Sequence, residues 1–238
     1  NTFIVGCQHT VIPISAADMF LHPDEKALIP LPDKIMTTGM IPKNILEKYG
    51  SYPIEQIEAG CALRFEHLQN LSLFKCRKES KHNFVLLVAF GGSEEEIPLL
   101  NYALGQASLN RSIIFRMRTH PAFSWDRLLS LSSWNKLLPE NVGNSTYSEV
   151  LDDLKDCDAI LYWGTTVAME ALMSGKPIIQ FDRGDLLNYD PLFEFTDFKW
   201  QVQRNDSLQK IIQIIQALPE TQYCKHQQQG RKYMEQYY

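Results

Sequence analysis

The chain has 238 residues, 45% of them hydrophobic and 21% charged, with a formal net charge of -5 and a pI near 5.7. That balance excludes a strongly basic nucleic-acid binder, whose affinity would come from counterion release by a dense Lys and Arg surface. It supplies enough apolar mass for one large soluble domain or one and a half smaller ones.

Five Cys, at positions 7, 61, 76, 157 and 224, are odd in number and widely spaced, with no Cys-x-x-Cys pair. Such spacing speaks against a disulfide framework or a structural zinc site and suits a reducing cytoplasm. No apolar run approaches the roughly 18 residues of a membrane span, so any membrane association is expected to be peripheral. The first residue is Asn1 and TFIVGC reads as a strand already under way, which leads us to expect a fragment or a processed product.

In chain order, TFIVGCQH is expected to be a strand and KIMTTG (34–39) another. MIPKNILEKYG forms a helix ended by Gly50, and QIEAGCAL a further strand before Arg64. The charged segment 73–83 reads as a linker between this incomplete α/β unit and a larger one. We therefore divide the chain into residues 1–75 and 76–238.

In the larger unit, NFVLLVAF (83–90) is a continuous apolar run of the kind buried on both faces of a parallel sheet, and it ends in Gly91-Gly92. Ser93 and Glu96 have capping-box spacing for the helix that follows. SIIFRMRTHP (112–121) reads as a strand, AFSWDRLLSLSSW as helical, and ENVGNST as a short segment between them and the next helix. SEVLDDLKDCDA reads as a helix capped by Ser148, AILYW as a strand, TTVAMEALMSG as a helix and PIIQFD as a strand. The alternation predicts an α/β fold, a doubly wound, Rossmann-type parallel sheet over about residues 83–215.

Ligands of such sheets bind beyond the carboxyl ends of the strands, so the residues after each strand are the candidates. Thr165 and Thr166, entered through Gly164, stand at a helix start that favours an anion such as a phosphate, or they only cap the helix. Glu170 lies one turn in, placed to accept hydrogen bonds from sugar hydroxyls or to be a solvated face. Arg116, Arg118 and His120 alternate onto one face, with His120 beside Pro121, so they suit an anionic ligand or an edge strand with solvated cations. The Gly91-Gly92-Ser93 loop either admits a ligand to the backbone or is a plain turn. His9 follows the first strand and is a general-base candidate or a structural His. Asp152-Asp153 falls inside a helix and reads as a solvated face, so no Asp-x-Asp metal motif follows a strand. Fixed cations and helix starts can neutralise a leaving phosphate without an ion, hence the expectation of no metal and no resident cofactor.

Together, SEVLDDLKDCDAILYWGTTVAMEALMSGKPIIQFD resembles the donor-nucleotide half of two-domain, GT-B-type glycosyltransferases. His120-Pro121 is similar to the His-Pro motif of bacterial sialyltransferases and Kdo transferases. GCQHT, PDKIMTTG and GCALR resemble segments of surface-polysaccharide transferases and CDP-glycerol glycerophosphotransferases. The resemblance implies a nucleotide-sugar donor, CMP-linked ahead of UDP-linked, and a glycan or lipid-linked acceptor; the alternatives are a CDP-glycerol-type polyol phosphotransferase and a non-catalytic nucleotide-sugar-binding domain. It places the work in surface-carbohydrate assembly in the cytoplasm, at the inner membrane face. It also implies roles: His9 as base or acceptor-side residue, with Gly91, Gly92, Arg118, His120, Pro121, Gly164, Thr165, Thr166 and Glu170 on the donor. A two-domain transferase needs a further amino-terminal half, and His9 is expected to face His120 and Thr166 across a cleft.

Overall fold

The computed structural model describes residues 2–62, 66–69, 73–74, 83–186 and 188–238. Arg64, Cys76 and most of the expected 73–83 linker lie outside them.

The first unit is a three-stranded parallel sheet in the order β1-β2-β3: β1 (Val5–Cys7), β2 (Lys34–Thr37) and β3 (Ile57–Ala59). Helix α1 (Met40–Tyr49) ends at Gly50, as its sequence predicts, and buries Ile45 and Leu46 against Ile12, Ile35 and Ile57. A short helix, α2 (Glu66–Gln69), follows β3.

The second unit is a six-stranded, all-parallel sheet. Its strands are β4 (Phe84–Ala89), β5 (Ile113–Arg118), β6 (Val142–Asn144), β7 (Ala159–Tyr162), β8 (Ile178–Asp182) and β9 (Lys199–Gln203), in the order β6-β5-β4-β7-β8-β9. The ENVGNST segment thus contributes the outermost strand. The crossover helices are α3 (Ile97–Leu109), α4 (Trp125–Leu131), α5 (Val150–Asp156) and α6 (Val167–Met173); α7 (Leu208–Ala217) and α8 (Glu220–Tyr237) follow the last strand.

Alternation along the strands divides the core in two. Leu86, Val88, Phe115 and Leu161 pack under α3, α4 and α7, while Leu87, Ala89, Ile160 and Tyr162 pack under α5, α6 and α8. This is the doubly wound arrangement. Strand order reverses between β4 and β7, and the register places Ala89 beside both Arg118 and Tyr162. Three adjacent strands therefore end at one level, at the point where such folds open a crevice.

Helix α5 starts at Val150 with Glu149 as its N-cap, which corrects the assignment of the cap to Ser148. The Ser148 carbonyl accepts a hydrogen bond from Arg118 instead.

Helix α8 returns to the first unit. The Tyr237 carbonyl accepts from Thr38 Oγ1 at 3.1 Å, the Tyr238 carbonyl from the Ala62 amide at 3.3 Å, and the Tyr237 hydroxyl from the Ile12 amide at 3.4 Å. Gly39 is the tightest point of this junction: a Cβ there would lie 2.6 Å from the Gln236 carbonyl oxygen and 2.7 Å from Tyr237 backbone atoms. Backbone cannot swing aside as a side-chain tip can, so Gly39→Ala is expected to lower stability by about 1–3 kcal/mol in chemical denaturation. An unchanged midpoint would show that this junction yields without cost.

Candidate functional site

The loop between β4 and α3 is organised by Glu96. Its Ser93 spacing does form the capping box, but the carboxylate reaches further. It accepts the amides of Gly91, of Gly92 at 2.8 Å and of Ser93 at 3.3 Å. Those N–H groups are therefore not available to a phosphate, and what the loop offers a ligand is its lack of side chains. Burial pushes the Glu96 carboxyl above its ordinary value, while the three amides and nearby His120 pull it down, with burial prevailing.

Gly92 has φ +97°, a conformation only glycine adopts without strain, and a Cβ on it would lie 2.8 Å from the Cβ, Cγ and Nδ1 of His120. The His120 ring is fixed from the other side as well. Pro121 turns the chain so that the Phe123 amide donates to the His120 carbonyl at 2.9 Å and the Ala122 amide to Nδ1 at 3.2 Å. With Nδ1 accepting, the neutral ring carries its hydrogen on Nε2, which leaves a donor on an exposed side chain.

The third wall comes from β7. A Cβ on Gly91 would lie 3.8 Å from the Cβ of Thr165, so the glycine loop and the β7–α6 turn are in contact. Thr165 is buried and its Oγ1 accepts the Val167 amide at 3.3 Å. It fulfils the capping role, whereas Thr166 occupies the N-cap position without a side-chain cap and is half-buried. Gly164 is required because a Cβ there would lie 2.6 Å from the Cβ of Tyr189, whose ring stands edge-on to Trp163 at 5.1 Å. Glu170 is half-buried in the first turn of α6. Gly91, Gly92, His120, Gly164 and Thr165 are thus brought together at the carboxyl ends of β4, β5 and β7.

No family model matches the chain, and no curated protein matches it in sequence. Solved structures do match. The GtfA/B complex superposes with a TM-score of 0.58 at 15% identity, over 85% of this chain and 42% of that one. TarM gives 0.55 at 12% identity, over 87% and 41%, and CalG4, the calicheamicin glycosyltransferase, 0.52 at 16%, over 89% and 51%. The fold is that of the GT-B glycosyltransferases. The chain spans about half the length, or less, of these solved structures.

Within the GT-B frame, two sequence expectations are corrected. Arg118 is not a cation free for the crevice: its Nη1 pairs with Asp153 at 2.6 Å, and its guanidinium also donates to the Tyr147, Ser148 and Glu149 carbonyls. Asp153 is correspondingly not a solvated residue but fully buried, and Ser145 Oγ donates to it as well. Arg116 joins the same acidic helix through Asp156 at 2.8 Å. The two arginines brace the β6–α5 loop, because a carboxylate withdrawn from water needs such partners.

His9 stands on the small sheet. Gln8 fixes its turn, accepting the Thr38 amide at 2.8 Å and donating to the Thr10 carbonyl, and His9 is left exposed. No hydrogen bond or ion pair links it to His120 or Thr166 among the described residues. The two sheets are in contact through residues 188–194. The Ser15 amide donates to the Asn188 carbonyl at 3.3 Å, Phe193 packs on Tyr49, and Glu194 binds Lys48 and the Tyr49 hydroxyl. Residues 188–194 are held to the larger sheet by buried Asp190, which accepts from Tyr162 and Lys199.

Sequence reading missed Glu96 as the organiser of the glycine loop, Tyr189 as the lid on Gly164, and Arg183. Arg183 had an available signal, since it directly follows the strand PIIQFD. Among the described residues no His, Cys, Asp and Glu side chains group closely enough to hold a metal ion. No helix among them is long and apolar enough to cross a membrane.

Truncating Glu96 to Ala strands amide donors in a protein interior, at about 1–3 kcal/mol for each one that water does not reach, so E96A should be markedly destabilised. Glu96→Gln removes the titration, at the cost of turning one accepting oxygen into a donor. The folded state holds the Glu96 proton more tightly than the unfolded chain does, so its favourable contribution is complete below the ordinary value of 4.5 and fades as pH rises through the raised one. Equilibrium unfolding should show E96Q gaining on the wild type as pH increases over that window. The reverse trend would mean that the amides outweigh burial.

Proposed function

We propose that this chain is the donor-binding part of a glycosyltransferase that moves a sugar from a nucleotide-activated donor to a glycan or lipid-linked acceptor in bacterial surface-polysaccharide assembly. Residues 76–238 would hold the donor and residues 1–75 part of the acceptor side. The observation that carries the reading is the convergence of Gly92, His120 and Thr165 where strand order reverses, with the His120 ring pinned through Nδ1 and Nε2 left to donate.

In this reading the phosphate sits over the side-chain-free surface of Gly91 and Gly92 and takes hydrogen bonds from His120 Nε2 and the Thr166 hydroxyl. Glu170, one turn into α6, accepts from ribose or sugar hydroxyls, and a charged acceptor makes such bonds stronger than a neutral one. Fixed donors of this kind stabilise the charge that grows on the leaving phosphate without reorganising, so the transfer would not require a metal ion. His9, presented from the small sheet, is the base that would activate the acceptor hydroxyl. The donor nucleotide is CMP by the His120-Pro121 pair. The alternative, UDP, is supported by a solved TarM structure in complex with UDP that this chain matches with a TM-score of 0.54.

Thermal unfolding with CMP, CDP, UDP and GDP tests the reading, since a ligand that binds only the folded state raises the melting temperature by mass action. At least one should do so at millimolar concentration, undiminished by EDTA. Glu170→Gln should weaken that binding roughly 10-fold, the value of a charge-assisted bond, beyond any change in the unliganded melting temperature. Silence from all four nucleotides would refute the proposal.

A further inference from the structure

Arg183 is the first residue after β8, the strand next to β7 in the sheet, and so lies at the same carboxyl edge as the crevice. Its guanidinium stacks on Trp163 at 4.8 Å, one residue before Gly164, and its Nη1 donates to the Glu95 carbonyl at 2.9 Å, one residue before the carboxylate that holds Gly91 and Gly92. Its Nε is paired with Asp185 at 2.7 Å. Nη2 makes no hydrogen bond among the described residues. The side chain is 23% exposed, held in place yet open to an incoming group.

Beside it lies room for a ligand. Arg183, Asp185 and Arg204 line a cavity of about 500 Å³ walled by Asn101 and Tyr102 of α3. The buried Oδ1 of Asn101 has no hydrogen-bond partner among the described residues.

We propose that Arg183 reads a second anionic group on the donor, beyond the phosphate attached to the nucleoside. This rests on the nucleotide-sugar reading above and refines it. A planar guanidinium matches an oxyanion fork to fork, and stacking on Trp163 fixes its plane in advance, so little freedom is lost on binding. Asp185 occupies the Nε side of the fork in the absence of donor. An oxyanion entering the cavity takes the open Nη2 edge and competes with Asp185 for the cation. The same chemistry serves the outer phosphate of a nucleoside diphosphate sugar or the carboxylate of an acidic sugar carried on a nucleoside monophosphate.

Isothermal titration of wild type, Arg183→Ala and Asp185→Asn with UMP, UDP, CMP, CDP and CMP-N-acetylneuraminic acid separates the cases. For the wild type, a ligand with the second anion should bind about 10-fold tighter than its parent monophosphate. R183A should bring that ratio close to one, with monophosphate affinity and melting temperature kept, and D185N should enlarge it. Preference among the diphosphates identifies the outer phosphate, and preference for the acidic sugar conjugate identifies the carboxylate. Arg183→Gln serves in the same role if R183A does not fold.

Monophosphate binding with no wild-type preference, or a ratio that R183A leaves intact, overturns the inference and leaves the nucleotide reading standing. Binding of none of the five by the wild type overturns both.

Discussion

Every strand of the larger sheet runs in the same direction, and the rest of the site follows from that constraint. A parallel sheet must return each connection across a face, so its loops gather at two opposite edges and the carboxyl ends of all strands share one of them. The order β6-β5-β4-β7-β8-β9 then makes neighbours of loops far apart in sequence: residues 91–93, 120–122, 164–166 and 183–185. Ala89, Arg118 and Tyr162 stand level in the register, which is why a glycine after one strand can lie flat against a histidine after the next.

What the Gly91–Ser93 loop lacks in free backbone amides it makes up in shape. Glu96 fills the position that an anion would take in a loop with open amides, and it costs the protein the burial of a carboxylate. In exchange the Gly91–Ser93 loop is held in one conformation, against which His120 and Thr165 pack. An anion over this loop cannot use the Gly91, Gly92 or Ser93 amides. In the proposed reading His120 Nε2 and the Thr166 hydroxyl serve that anion, and the stacked guanidinium of Arg183 is kept for a second one.

The sheet was legible because its signals are strong and local. NFVLLVAF, AILYW and PIIQFD are apolar enough to be buried on both faces, and the first two run straight into a glycine. Convergence of His120, Gly92 and Thr165 could be read from the rule that strand ends share an edge. The fate of Arg118 could not: its partner Asp153 is 35 residues away, and an aspartate within a helical pattern carries no local mark of burial. Glu96 shows the same limit from the other side, since its capping-box spacing was visible but its hold on Gly91 and Gly92 depends on a strand-to-helix turn that only the folded chain defines. The return of α8 to the first sheet was likewise hidden, because Gly39 meets Tyr237 through backbone contacts that no side-chain pattern announces.

The central claim is that a nucleotide binds at the shared carboxyl edge of β5, β4 and β7. Amide hydrogen exchange read peptide by peptide, with and without saturating CMP or UDP, tests it most directly, because it reports the place of binding and not only its occurrence. The account predicts slowed exchange over residues 119–123 and 164–168 and little change in α7 or around the 132–141 loop at the opposite edge. Protection confined to that opposite edge, or to the three-stranded sheet alone, would contradict it.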